Sequence, residues 1–151
     1  MQFDLNNFTT IKPNPVAGRK KVTVPLVSIT KTGFSFNSYI CNNFNVIKRF
    51  VQVKVDVSRG KLAFIFSDER QLGSYKMNIP KKGEMFSGTA STAAHSVIVF
   101  LNRETDLINT EVYRYRFKAE IGEAQSVIMV DLKDPYQKSK KSKQRGAHHD
   151  D

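Results

Sequence analysis

From Val22 to Lys133 nearly every segment alternates apolar with polar residues or is dense in Val, Ile, Phe and Tyr. A two-residue period sustained over that length commits a chain to half-buried sheet. The expected strands are 22–36, 48–57, 61–67, 74–80, 111–121 and 126–132. Ser58, Arg59 and Gly60 supply a turn, with Gly60 available for positive φ, so RFVQVKVDVSRGKLAFIF reads as a β-hairpin. Gly122, Glu123 and Ala124 do the same within YRYRFKAEIGEAQSVIMV.

Two helices interrupt the strands. GTASTAAHSVIVFLNRE brings small residues and Ser/Thr caps up to Val97, Phe100 and Leu101, which share a face at spacings of three and four. A shorter helix is expected in NSYICNNF, capped by Asn37 or Ser38, with Tyr39, Ile40 and Phe44 packing down. The halves of the chain also echo one another. ITKTGFSF, from Ile29 to Phe36, and IPKKGEMF, from Ile79 to Phe86, agree at four of eight positions, and each runs on into a helix and a hairpin. The expected fold class is therefore α+β and β-dominated, with two antiparallel sheets from a duplicated strand–helix–hairpin unit (about 22–68 and 74–133) packed with helices.

The ends differ in character from this block. Residues 1–21 close on NPVAGRKK, where Pro13, Pro15 and Gly18 break any period, and read as an arm. Residues 134–151, DPYQKSKKSKQRGAHHDD, are nearly devoid of apolar side chains and read as a disordered basic tail. The whole chain of 151 residues carries 24 Lys and Arg against 14 Asp and Glu, a formal +10, which favours a polyanionic partner. Residues 136–151 hold five of the cations and two of the acids, so +7 stays on residues 1–135 and the basic character belongs to the folded part.

Strand alternation then gives that charge a position. In VYRYRFKAEI, Tyr113, Tyr115, Phe117, Ala119 and Ile121 face one way, and Val112, Arg114, Arg116, Lys118 and Glu120 face the other. In KRFVQVKVDV, Val51, Val53, Val55 and Val57 oppose Lys48, Phe50, Gln52, Lys54 and Asp56, which sets an aromatic ring among cations. Lys31, Lys81 and Lys82 occupy turns beside Gly33 and Gly83, and Lys76 extends the cationic row in SYKMNI. Phe34 and Tyr75 read as core. Rows of Lys and Arg with occasional rings suit a single nucleic-acid strand, whose backbone offers phosphates and whose bases offer π-faces. The plainer function of such rows is a solvated face that deters edge pairing.

Catalytic and metal-binding patterns are missing. His95 reads as structural, His148 and His149 lie in the tail, and the acids are scattered among cations, so no nucleophile, metal or acid/base constellation assembles; neither GxxxxGK[ST] nor GxGxxG occurs. No enzyme, metal or cofactor is expected. The lone Cys41 excludes an intrachain disulfide, no stretch reaches the roughly 20 apolar residues of a membrane span, and the N-terminus lacks signal-peptide order, so a cytoplasmic protein is expected.

The repeated β-rich unit with its helix, the cationic strands KRFVQVKVDV and VYRYRFKAEI and the basic tail resemble the Whirly-type single-strand DNA-binding proteins, in particular those of lactococcal phages. The resemblance spans about residues 22–133 by element order and chemistry; the lysine-rich segment of plant members has only IPKKGEMF as a loose echo. It implies a homo-oligomer that coats single-stranded DNA with little sequence preference during phage replication and recombination, in the host cytoplasm, with replication or recombination proteins as further partners. The binding residues expected from the strands and turns are Lys31, Lys48, Phe50, Lys54, Lys76, Lys81, Lys82, Arg114, Arg116 and Lys118. The alternatives are an RNA-binding or transcription-regulating protein, and a structural or assembly protein whose basic surface meets an acidic partner.

Overall fold

Backbone pairing divides the strands into two five-stranded antiparallel sheets in a computed structural model that describes residues 23–79 and 89–141. The first sheet has the order β10-β7-β1-β2-β6, from β1 (Leu26–Ile29), β2 (Gly33–Phe36), β6 (Ala90–Ala93), β7 (Tyr113–Lys118) and β10 (Gln137–Lys140). The second has the order β5-β3-β4-β9-β8, from β3 (Phe50–Asp56), β4 (Lys61–Ser67), β5 (Tyr75–Lys76), β8 (Glu120–Gly122) and β9 (Val127–Asp131). Helix α1 (Ser38–Asn43) joins β2 to β3, and α2 (His95–Glu104) joins β6 to β7.

The inward faces of the two sheets meet in one core. Phe64 of β4 sits edge-on to Phe34 and Phe36 of β2, with ring centroids 5.0 and 5.1 Å apart, the geometry the ring quadrupoles favour. Val27, Ile29, Val51, Leu62, Phe117, Ile128 and Val130 fill the remainder. The sheets are also tied at both sides. β7 runs through Ala119, whose N–H bonds to Pro25 at 3.0 Å, and continues as β8 in the other sheet; opposite, Asn78 and Ser91 exchange backbone hydrogen bonds of 2.7 and 2.9 Å beyond β5.

Several expected elements are redrawn. The single strand 22–36 is a hairpin, because Thr30 N–H bonds back to Gly33 O at 3.0 Å and reverses the chain at Lys31. Strand 74–80 pairs only at Tyr75 and Lys76, with Asn78 as an isolated bridge, and 111–121 bends at Ala119 into β7 and β8. Gly60 takes the positive φ of 67° expected of it, but the left-handed residue of the second hairpin is Ser126 after a 3₁₀ turn over Glu123–Gln125, not a glycine. ASTA, expected to open the long helix, is strand β6. It lies so close to β2 that a Cβ on Gly33 would stand 2.1 Å from Thr92 O. The helix begins at His95, which is exposed rather than buried, and its inward face is Ala94, Ile98 and Leu101 with Val97 half-covered. Asn37 caps α1 as expected, its Oδ1 accepting from Ile40 N and Leu26 N at 3.2 Å each while its Nδ2 donates to Val24 O at 2.8 Å.

Each sheet takes strands from both halves of the chain, and residues 80–86, seven of the eight positions of the second octapeptide copy, lie outside the described residues. Residues 137–140 are not disordered but form edge strand β10 on β7. Main-chain bonding holds them there, and Lys138 lies with its ammonium 4.2 Å from the Tyr113 ring centroid and 5.8 Å from that of Tyr115. The arm 1–21 and residues 142–151 lie outside the described residues.

Candidate nucleic-acid interface

The cross-strand register of the first sheet aligns small polar side chains on its outward face. Arg116 pairs with Ser28, Ser28 with Ser35 and Ser35 with Ser91, while Gln137 flanks Arg116 on β10 and Asn78 bridges Ser91 at the far edge. Six polar residues thus form one ladder across the sheet, about 24 Å long at strand spacings of roughly 4.8 Å. Arg114 lies in the neighbouring row beside Ser139, and Lys118 stands at the other side of Arg116; all three β7 cations are exposed. Beneath the serine end is a shallow hollow of about 170 Å³ lined by Thr30, Thr32, Ser35, Ser91 and Asn78. Among the described residues no carboxylate stands in these rows, and Arg114, Arg116 and Lys118 make no ion pair.

One exposed ring is anchored at the edge strand, on the side that alternation gives to Lys138 rather than to Gln137. Tyr136, 51 % exposed, donates its backbone N–H to Arg116 O at 2.8 Å, which holds it beside the guanidinium-bearing strand. The composition of 134–151 concealed it, since a tyrosine in a tail without apolar neighbours gives no sign of being anchored by its backbone.

The second sheet presents its cations on the opposite side of the core. Lys54 and Lys76 project outward there, but they share the face with Asp56, Glu120 and Asp131. Asp131 pairs with Lys61 at 3.5 Å and with Lys133 at 3.4 Å, and Arg59 lies 3.7 Å from Asp56. Both carboxyls are held below the usual range, Asp56 chiefly by the Ser58 hydroxyl and Asp131 chiefly by the Lys133 backbone N–H. A concavity of about 310 Å³ lies here over Ala63 and Met129, with Lys54 and Lys61 at its wall.

The ten expected binding residues therefore do not form one surface. Arg114, Arg116 and Lys118 stand together on the first sheet, and Lys54, Phe50 and Lys76 on the second. Phe50 does face outward among cations, but it is only 9 % exposed: the Arg49 and Arg70 guanidinium carbons lie 5.6 and 5.0 Å from its centroid and cover it. It is a buried ring outside the main core rather than a free stacking platform. Lys31 is an exposed turn lysine as expected, with its ammonium 3.3 Å from Glu111. Lys48 is half-buried ahead of β3, and Lys81 and Lys82 lie outside the described residues.

Among the described residues no group of three or more His, Cys, Asp or Glu is placed to hold a metal, and no helix is long and apolar enough to cross a membrane. Cys41 is half-buried, and burial pushes its thiol up, away from the thiolate form. No protein-family model matches the chain, and comparison with curated proteins and with solved structures finds no match.

Proposed function

We propose that the protein is a non-catalytic single-strand nucleic-acid-binding protein whose ligand crosses the outward face of the first sheet. The observation that carries this reading is the carboxylate-free ladder Gln137–Arg116–Ser28–Ser35–Ser91–Asn78, flanked by Arg114 and Lys118. Arginine and lysine engage phosphates, and hydroxyls and amides accept or donate to whatever base edge or sugar lies above them. Helix-mediated reading of a duplex major groove needs a protruding helix. Here α2 turns Ile98 and Leu101 into the core, and α1 has only six residues, which supports a single strand over a duplex.

DNA is the preferred ligand in this reading, in keeping with the Whirly-type resemblance, and successive copies of the chain coating the strand during replication and recombination extend it. A salt titration of binding to labelled oligo-dT, with duplex DNA and RNA as competitors, tests it. Three phosphate contacts through Arg114, Arg116 and Lys118 predict a slope of log K against log salt near −2, at about −0.7 per contact on a single strand. Arg116→Ala should flatten that slope by roughly 0.7. A slope of zero, or equal affinity for duplex and single strand, refutes the proposal. Capture of an acidic protein without oligonucleotide affinity assigns the face to assembly instead.

A further inference from the structure

The polar ladder does not stop at the edge of the first sheet. Asn78 has the same outward parity as Lys76, two residues earlier, and Lys76 pairs with Phe50 on the outward face of the second sheet. The outer surface is thus continuous around this side, from the serines through Asn78 and Lys76 to the Arg49 and Arg70 side chains over Phe50. At that end stands Leu72, a large apolar side chain 97 % exposed to water.

Leu72 is held out rather than loosely trailing. Ser74 N–H and its hydroxyl both donate to Gln71 O, at 3.0 and 2.8 Å, and Gln71 N–H donates to Ser74 Oγ at 3.0 Å, closing a tight turn around Leu72 and Gly73. Gly73 supplies the turn's positive φ of 76°. Gln52 of β3 donates through Nε2 to Leu72 O at 2.9 Å, pinning the turn to the sheet. Arg49 and Arg70 lie over Phe50 and Lys76 pairs with it, one outward position along β3 from Gln52, and among the described residues Asp68 and Glu69 at the loop's start make no ion pair with any of the three. An apolar tip on a fixed turn, with cations on the same outward face around Phe50, matches the side-chain wedges that enter between stacked bases while neighbouring cations hold the flanking phosphates.

We infer that Leu72 is a base-unstacking wedge, acting where a single strand leaving the ladder around Asn78 meets duplex, so that the ligand class of this end is a single-strand/duplex junction. The inference rests on the proposed single-strand face. Its test uses the full chain with a junction oligonucleotide carrying 2-aminopurine at the first paired base, alongside oligo-dT binding. The expected result is a fluorescence rise of about threefold or more on binding, reduced to under about half of that rise in Leu72→Ser, with oligo-dT affinity changed by less than about twofold. The substitution removes no buried contact, so circular dichroism of the variant should overlay that of the parent.

Oligo-dT binding with no 2-aminopurine response overturns the wedge and leaves the single-strand face standing. An equal loss of oligo-dT affinity and fluorescence in Leu72→Ser also overturns it, making Leu72 a general contact. Leu72-dependent binding to phosphatidylserine vesicles without a junction response reassigns the tip to a lipid surface. Failure to bind any oligonucleotide refutes both proposals.

Discussion

Gly33→Ala isolates the close approach of β6 to β2 that carries the serine ladder. An added Cβ would stand 2.1 Å from Thr92 O, 3.0 Å from Ala94 N and 3.1 Å from Ala93 Cα. All three are backbone atoms, so no rotamer change relieves the clash; β6 must move by about 1 Å to restore van der Waals distance. That movement strains the Gly33–Ala93 and Phe34–Thr92 pairings and the 2.9 Å bond from Thr92 Oγ1 to Lys76 O. Overpacking costs about 1–3 kcal/mol and one or two weakened hydrogen bonds about 1 kcal/mol each, offset by roughly 0.5–1 kcal/mol from a stiffer unfolded chain. The net expectation is a loss of about 3 kcal/mol in urea unfolding, or a Tm lower by roughly 6–12 °C for a chain of this size. Gly73→Ala is the comparison, because Gly73 has φ 76° but nothing within 4 Å of an added Cβ, so it should cost only about 1 kcal/mol of backbone strain. Equal costs for the two substitutions, or a Gly33→Ala variant within about 0.5 kcal/mol of the parent, would refute the close-approach reasoning.

Phe50→Ala should lower stability by about 2–3 kcal/mol, since it uncovers a buried ring site but leaves the main core intact; unchanged urea unfolding with weakened oligonucleotide binding would return Phe50 to an exposed stacking role. Asp56 and Asp131 have depressed folded-state pKa values, so the stability each contributes is complete above about pH 4 and fades as pH falls through the folded value. Asp131→Asn should therefore narrow the drop in Tm between about pH 5 and pH 2, and an unchanged acid profile would remove Asp131 from that balance.

Where backbone pairing and side-chain period pointed the same way, the fold was legible. β4 spans Lys61–Ser67 as the alternation of KLAFIFS requires, with Leu62, Phe64 and Phe66 buried and Gly60 turning the hairpin before it. What escaped was structure imposed from outside the segment. Gly33 marks a turn at Lys31, but Thr30, Lys31 and Thr32 contain no glycine, proline or asparagine, so that one residue is the whole composition signal for the reversal that splits 22–36. Ala90–Ala93 has the composition of a helix start, yet β2 draws it into a strand because Gly33 leaves room for its backbone. β10 has no apolar residue at all, and its order comes from the main-chain ladder along β7 and the Lys138 contact with two tyrosines.

The same division separates the visible from the hidden part of the candidate interface. Alternation identified Arg114, Arg116 and Lys118 as outward but could not say that Lys54 and Lys76 belong to the other side of the core, since that depends on strand order. The serines are invisible singly: Ser28, Ser35 and Ser91 come from three separate strands and meet only through register. That register is not set by the serines. The pairing that aligns Ser28 with Ser35 also sets Val27 against Phe36 and Ile29 against Phe34, all four nearly fully buried. Slipping β1 against β2 by one residue would turn β1's inward set, Val27 and Ile29, to solvent, forfeiting about 3–6 kcal/mol at roughly 1.5–3 kcal/mol per side chain. Three small hydroxyls contribute far less than that to pairing, so the ladder's alignment is a by-product of the core. Substituting one of the serines should therefore change ligand contacts without moving the strands, which makes the face open to alteration residue by residue.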